Sequence, residues 1–314
     1  MGAPQDLIDT YDRPLPHGIT LSCRAAGERG RPVLVFLHGF PEAAFVWDFM
    51  LRHFSKPEHG GFRCVAPNLR GFERSSAPSD VSAYRAKHLV QDIAALIALE
   101  TQTSAAPLAA LIAHDWGGAV AWNLANQLPH LAQQLVIINS PHPGTFLREL
   151  KHSPEQQAAS AYMNFLIRPD AEALLAQDDY RRLWEFLTNA PTGAPPPVWL
   201  TDNLKHQYRQ VWNAGLTGGL NFYRASPLRP PRPEDPAAAA IDIPRSLLTV
   251  GLPTLVIWGM DDIALPPALI DGLEDYVEHL TLTPVAGATH WIVHERPDWV
   301  AQQIGAFLHA TPRP

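Results

Sequence analysis

Residues 111–120, LIAHDWGGAV, place an apolar run, an abrupt polar corner and two glycines directly before a helical pattern. This order of strand, turn and helix is the context in which a sharp turn presents a side chain at the end of a buried strand. Paired glycines let the strand and the following helix approach closely enough to hold a strained turn. Asp115 stands at the apex of the turn. The stretch therefore predicts a nucleophile elbow that carries a carboxylate.

Apolar runs like the one before Asp115 recur along the chain. They are rich in Val, Ile and Leu, end in turn residues, and occupy 33–39, 62–68, 108–115, 135–141, 254–259 and 280–287. Continuous apolarity without alternation is typical of strands buried on both faces, as in a parallel sheet. Amphipathic helical patterns lie between the runs, for example at 83–100. The alternation predicts a doubly wound α/β sheet.

The segment 143–244 interrupts this alternation, because it contains amphipathic helical pieces but no convincing core strand. Its last part, 225–244, is dense in proline, which indicates a stiff, extended return linker. The stretch 190–197, APTGAPPP, is predicted to be a loop. We expect a helical cap at 143–244, inserted between the two parts of one core domain at 1–142 and 245–314.

Composition limits the partners and the location of the protein. The chain has 314 residues, a formal net charge of −7 and no run of Lys or Arg, so nucleic acid is not an expected partner. The N-terminus lacks a secretory pattern, and no apolar run approaches the roughly 18 residues that a membrane span needs. Two cysteines are too few for a disulfide framework. We expect a cytoplasmic monomer or homodimer without cofactor or metal.

An aspartate at the elbow has its own chemistry. A carboxylate is ionised at neutral pH and attacks a saturated carbon without help from a base, which gives an ester of Asp115. An activated water must then hydrolyse that ester through an oxyanion, which the backbone N–H groups of Trp116 and of Phe40, in the corner 38–41, would stabilise. Aspartate also caps helices, but the paired glycines and the second corner favour the catalytic interpretation.

A base and an acid are expected after the nucleophile in the chain order of this architecture. The run 254–259 leads to two aspartates, Asp261 and Asp262, and the run 280–287 leads to His290. His290 would take a proton from water, and one of the two carboxylates would orient the imidazole and stabilise its cation.

The motifs together resemble the epoxide hydrolase branch of the α/β-hydrolase family, over nearly the whole chain. The similar stretches are HGFPE (38–42), NLRGFERSSAP (68–78), HDWGG (114–118), INSPHP (138–143), WGMDD (258–262) and ATHWIVHERP (288–297). By this resemblance Asp262 matches the catalytic acid. The chain departs from the family pattern at Asn68, Ala113 and Thr289, and none of these positions carries a reacting group.

The resemblance also implies roles for residues of the predicted cap. Tyr162 and Tyr223 match two tyrosines whose hydroxyls hold the epoxide oxygen in the family, although each alone would be taken as an ordinary core tyrosine. Two phenolic donors suit the alkoxide that ring opening releases. Phe165 and Phe222 are expected to contact a small-molecule epoxide together with Phe40 and Trp116, and water is the second substrate.

Two other functions fit parts of the sequence. A haloalkane dehalogenase shares the Asp-His-Asp set and a Trp after the nucleophile, but Phe40 offers no side-chain donor for halide. In haloacetate enzymes, arginines after the nucleophile hold a carboxylate, and Trp116 and Ala119 occupy that region here. A ligand-binding protein on a hydrolase scaffold, without catalysis, would be favoured by a missing nucleophile, base or acid, and none is missing.

Overall fold

A single sheet organises the chain. The structure is a computed structural model that describes residues 7–103, 106–188, 196–232, 235 and 240–310. Its strands are β1 (Asp9–Pro14), β2 (Thr20–Ala26), β3 (Val33–Leu37), β4 (Arg63–Pro67), β5 (Ala110–His114), β6 (Leu135–Ile138), β7 (Thr254–Gly259) and β8 (Leu280–Val285). Within these ranges they form one eight-stranded sheet in the order β1-β2-β4-β3-β5-β6-β7-β8. All six apolar runs are strands, so the predicted α/β sheet is confirmed.

Helices connect and cover the strands. They are α1 (Asp48–Ser55), α2 (Ala86–Glu100), α3 (Asp115–Gln127), α4 (Pro143–His152), α5 (Pro154–Ala159), α6 (Ala161–Leu166), α7 (Ala171–Thr188, kinked near Asp178), α8 (Asp202–Ala214), α9 (Thr217–Ala225), α10 (Ile292–Glu295) and α11 (Pro297–Ala310). Every residue of β3, β5 and β6 is buried, so both faces of the central sheet are covered. Within the described ranges, none of the helices has the length and apolarity to cross a membrane.

The first two strands were not among the predicted ones. β1 pairs antiparallel with β2, and β2 pairs antiparallel with β4, whereas the remaining neighbours are parallel. β1 reads DTYDRP and none of its residues is buried. A polar edge strand of this kind lacks the continuous apolar run that marks the central strands, so its sequence gave no strand signal.

The parallel register brings the ends of distant segments together. Leu37 at the end of β3 lies opposite Ala113 of β5, and His114 at the end of β5 lies opposite Ile138 of β6. Gly259 at the end of β7 lies opposite Val285 of β8. The corners that follow these strands therefore meet at one edge of the sheet, where open α/β sheets bind their ligands.

Two glycines of α3 allow the close approach on which the elbow depends. A Cβ added to Gly117 would lie 2.5 Å from the Leu37 carbonyl oxygen, and one added to Gly118 would lie 2.3 Å from the Ser140 Cβ. Both distances are far below van der Waals contact. Helix α3 is thus seated against the ends of β3 and β6, as the paired glycines of the elbow predict.

The segment between β6 and β7 carries α4 to α9, and its described part contains no strand in the sheet. The predicted domain boundaries at 142/143 and 244/245 stay a prediction. Of the loop predicted at 190–197, residues 190–195 lie outside the described residues. The same holds for residues 233, 234 and 236–239 of the predicted linker.

Candidate active site

Asp115 begins α3 at the elbow after β5, in a backbone conformation that few side chains adopt. Its φ is +49°, in the left-handed region that costs a non-glycine residue of order 1 kcal/mol or more. The Ser140 hydroxyl donates a hydrogen bond of 2.6 Å to the Asp115 carbonyl oxygen and so helps to hold the turn. The side chain of Asp115 is 14% exposed, so its carboxylate is accessible from the adjoining cavity.

The corner after β3 contacts this carboxylate. The Phe40 N–H donates to Asp115 Oδ1 at 2.7 Å, and a Cβ on Gly39 would lie 2.2 Å from the same oxygen. Only glycine at position 39 therefore lets the two corners meet. His38 braces the corner, because its Nε2 accepts from the Leu69 N–H at 3.0 Å and its Nδ1 donates to the Gly39 carbonyl at 2.9 Å. Burial lowers the pKa of His38 to about 4, which keeps it neutral.

The structure brings Asp262 rather than Asp261 to His290. His290 Nδ1 donates to Asp262 Oδ2 at 2.6 Å, whereas Asp261 is exposed. The Asp262 carboxylate is fully buried, and its Oδ1 accepts two backbone N–H groups, from Ala264 and Leu265, at 2.9 Å each. Such a carboxylate is fixed in place and can orient an imidazole.

His290 lies between two carboxylates. Its Nε2 is 3.7 Å from Asp115 Oδ2, which is too long for a direct hydrogen bond. Burial alone lowers the pKa of His290, but the Asp262 and Asp115 carboxylates outweigh it and raise that pKa to about 9. A pKa of about 9 makes the imidazole cationic at neutral pH.

Tyr162 on α6 and Tyr223 on α9 face each other, with ring centroids 6.1 Å apart. Burial raises the pKa of both phenols, and the negative charge of Asp115 raises it further. Both hydroxyls therefore stay protonated and can donate hydrogen bonds. The Tyr223 ring packs edge-on against Trp116 at 5.0 Å and Phe40 at 5.4 Å, which fixes its position.

A cavity of about 340 Å³ adjoins Asp115 and the two tyrosines, and its size is in the range of small-molecule sites. His290 and Asp262 are not among its lining residues. Five of the predicted site residues line it: Asp115, Trp116, Tyr162, Phe222 and Tyr223. Among the residues that the structure describes, no cluster of three or more His, Cys, Asp or Glu side chains is arranged to hold a metal ion.

Two predicted substrate contacts, Phe165 and Phe40, are not among the residues that line this cavity, and they stay predictions. The Arg168 guanidinium carbon lies 6.0 Å from the centroid of the Phe165 ring. The Phe40 side chain packs behind Tyr223. Phe40 contributes its backbone N–H to the site, as predicted from the corner, while its ring supports a tyrosine.

Sequence reasoning gave no role to Glu42, the last residue of the HGFPE stretch. Its carboxylate is fully buried, and Oε1 accepts from the Tyr208 hydroxyl at 2.7 Å and from His294 Nε2 at 2.6 Å. Oε2 lies 3.3 Å from His114 Nδ1, and His114 Nε2 donates to the His290 carbonyl at 2.9 Å. Burial alone raises the pKa of Glu42, but His294 and His114 hold it well below its usual range.

Asn139 was also missed, although the INSPHP stretch contains it. It follows β6 with φ +39°, and its Nδ2 donates to Asp262 Oδ2 at 2.8 Å while its Oδ1 accepts from the Gly259 N–H at 2.9 Å. Asn139 therefore positions the acid. The available signal was its place directly after a central strand, at the same edge of the sheet as the other corners.

Comparison with known proteins agrees with this geometry. Residues 32–297 match the family model described as the alpha/beta hydrolase fold. The chain is 35% identical to the AB hydrolase superfamily protein YfhM of Bacillus subtilis, over 93% of this chain and 95% of that protein. It is 30% identical to Epoxide hydrolase 4 of Mus musculus, over 96% of this chain and 80% of that protein.

Solved structures give the same result. An epoxide hydrolase from metagenomes of hot environments superposes with a TM-score of 0.82 at 34% identity, covering 97% of this chain and all of that one. The Bacillus megaterium epoxide hydrolase, solved in complex with an inhibitor, superposes with a TM-score of 0.83 at 29% identity, covering 95% and 99%. The chain belongs to the α/β-hydrolase family, in the branch that contains the epoxide hydrolases.

Proposed function

We propose that this enzyme hydrolyses an epoxide to a vicinal diol through a covalent ester of Asp115. The observation that carries the proposal is a shared cavity: a carboxylate on a strained elbow and two buried, protonated phenols line the same space. A carboxylate supplies the nucleophile for a saturated carbon, and paired donors supply what an oxygen leaving group needs. The names of the relatives support the same activity.

In the first step the carboxylate of Asp115 opens the ring. The Phe40 N–H engages Oδ1, which leaves Oδ2 as the attacking oxygen. The epoxide oxygen becomes an alkoxide, which the hydroxyls of Tyr162 and Tyr223 stabilise and one of them protonates. The tyrosinate that results regains its proton when hydrolysis of the ester releases one. Because the elbow holds the carboxylate in place, reaching the ring carbon costs less entropy than the same reaction between molecules free in solution.

In the second step water hydrolyses the ester. His290 takes a proton from the water, and Asp262 stabilises the imidazolium that results. Attack at the acyl carbon puts the negative charge on Oδ1, the atom that the Phe40 N–H already contacts at 2.7 Å. The Trp116 N–H is the second proposed donor. One of the two proposed oxyanion donors therefore already contacts the oxygen that would take the charge, which supports the assignment.

The charge of Asp115 couples the two steps. Ester formation removes that charge, which is one of the causes of the raised pKa of His290. Loss of that charge lowers the pKa of His290, although Asp262 still raises it, and a lower pKa favours the neutral imidazole that can take a proton from water.

The proposal also covers the cap, the oligomeric state and the location of the protein. The segment 143–244 would act as the cap that brings both tyrosines over the core, and the protein would be a cytoplasmic monomer or homodimer. A dehalogenase would need a side chain that donates a hydrogen bond to halide at position 40, and the phenyl ring of Phe40 has no such donor. A binding protein without catalysis would not need the strained backbone of Asp115.

Replacing His290 by Gln tests the proposed function directly. The variant should still open the epoxide but should not activate water, so the ester on Asp115 should accumulate. Intact-protein mass spectrometry after incubation with styrene oxide should show an added mass equal to the whole epoxide. His279→Gln, at an exposed histidine, should hydrolyse the epoxide and accumulate no adduct. Asp115→Ala should neither hydrolyse the epoxide nor form an adduct. Absence of adduct in a folded His290→Gln protein would contradict the ester mechanism.

Removing one tyrosine hydroxyl should slow ring opening. We expect Tyr162→Phe and Tyr223→Phe each to lower the single-turnover rate of alkylation by about 10²-fold, the typical effect of losing one oxyanion donor. Tyr180→Phe is the matched control, because Tyr180 lies between the same two tyrosines in sequence but does not line the cavity. If both site variants alkylate at the rate of the control, the phenols do not act on the leaving oxygen.

The coupling between Asp115 and His290 predicts a pKa change of known sign. Asp115→Asn resembles the ester in lacking the charge, so the pKa of His290 should fall below the value of about 9 expected with the carboxylate in place. NMR titration of the imidazole measures both values. Asp261→Asn removes an exposed neighbouring carboxylate and should leave the pKa of His290 unchanged. An unchanged or higher pKa in Asp115→Asn would show that the two groups are not coupled.

A further inference from the structure

The cavity extends well beyond the reacting groups, along one side of α3. Its lining includes positions of that helix spaced three or four residues apart, which are Trp116, Ala119, Val120, Asn123 and Asn126. This spacing places them on one stripe of the helix. From Asp115 to Asn126 the axis of α3 rises about 16 Å, so the cavity is a trough rather than a compact pocket.

The opposite wall of this trough is apolar. Leu228, which follows α9, lines it together with Ile243, Leu247 and Leu248 from the segment that leads back to β7. At the far end the side chain of Leu247 is 60% exposed and Gln127 of α3 is exposed. A large apolar side chain therefore stands at the point where the trough meets solvent. We call the space between the α3 stripe and these leucines the α3 channel.

The polar side chains of the α3 channel already have partners within the protein. Asn123 Nδ2 donates to the Ala119 carbonyl at 2.8 Å, and Asn126 Nδ2 donates to the Thr249 carbonyl at 2.7 Å. His142 Nε2 donates to the Leu248 carbonyl at 2.9 Å while its Nδ1 accepts from the Gly144 N–H at 3.1 Å. The two amide NH2 groups and the imidazole thus have partners within the protein, and most other lining residues are apolar, so the channel suits an apolar chain.

The charges of the cavity point to a neutral ligand. Asp115, at the inner end, is the one described lining residue with a formal charge, since His142 is kept neutral by the two hydrogen bonds of its ring. No Lys or Arg is found among the described lining residues. A carboxylate carried inside the channel would therefore leave water without gaining a counter-ion.

We propose that the substrates are epoxides with a long, uncharged alkyl chain, which lies in the α3 channel while the epoxide sits between Asp115 and the tyrosines. The part of this inference that concerns epoxide chemistry at Asp115 rests on the proposed function. The part that concerns the long alkyl chain rests on the α3 channel alone. An extended alkyl chain of roughly a dozen carbons spans the length from Asp115 to Asn126.

A series of terminal epoxides from 1,2-epoxybutane to 1,2-epoxyhexadecane tests the channel. Each methylene taken out of water should raise kcat/KM by up to about fourfold, and the gain should stop once the chain passes the mouth, at roughly a dozen carbons. The pair 1,2-epoxyhexane and 5,6-epoxyhexanoic acid tests a charge inside the channel, and the neutral compound should be preferred. A flat series, or a preference for the acid, would overturn the proposal.

Two variants place the effect in the channel. Asn123→Trp should fill it, and Leu247→Asp should add an unpaired charge at its exposed mouth, where folding is not affected. Each should lower the ratio of kcat/KM for 1,2-epoxydodecane to that for 1,2-epoxybutane by tenfold or more. Gln302→Trp, at an exposed position of α11, is the control of equal bulk and should leave the ratio unchanged. A wild-type ratio in both channel variants would contradict the assignment.

Binding of unreactive 1,2-diols separates this inference from the proposed function. Calorimetry should give an affinity that rises from butane-1,2-diol to dodecane-1,2-diol and loses that rise in Asn123→Trp. This result without turnover of any epoxide would support the channel and contradict the proposed function. Turnover of epoxides with no dependence on chain length, in rate or in diol affinity, would contradict the channel and leave the proposed function standing.

Discussion

The hydrogen bond from the Phe40 N–H to Asp115 Oδ1, at 2.7 Å, is the contact on which the site depends. It joins two corners that are 75 residues apart in sequence and that meet only because β3 and β5 are parallel neighbours. Close packing then dictates the residues around it. Gly39 leaves room for the carboxylate, and Gly117 lets α3 approach the end of β3. Gly39 and Gly117 are thus explained by the close approach that this one hydrogen bond requires.

Buried charge is the second organising feature. Asp115, Asp262 and Glu42 lie near His290, His114 and His294 at the edge of the sheet, and each buried carboxylate has an imidazole or N–H donor within reach. Such an arrangement offsets the cost of removing carboxylates from water. It also makes the protonation of His290 sensitive to any change of charge on Asp115. Esterification of Asp115 would therefore lower the pKa of His290.

Sequence reasoning succeeded where a signal is local and failed where it is not. Continuous apolar runs predict the central strands. A predicted strand, a turn and two glycines predict the elbow at Asp115. The polar strand β1 gave no such pattern. The hydrogen bond from Tyr208 to Glu42 joins residues 166 apart, from different parts of the chain, so no spacing in the sequence could indicate it.

The central claim is that Asp115 attacks carbon and that water attacks only the resulting ester. A single turnover of styrene oxide with excess enzyme in ¹⁸O-labelled water tests it most directly, because the two mechanisms place the label differently. If Asp115 supplies the oxygen, the first diol is unlabelled and the label is found in the peptide that contains Asp115. If the site only deprotonates water for direct attack on the ring, the first diol carries the label and the peptide does not. The account predicts the labelled peptide, and a labelled first-turnover diol would contradict it.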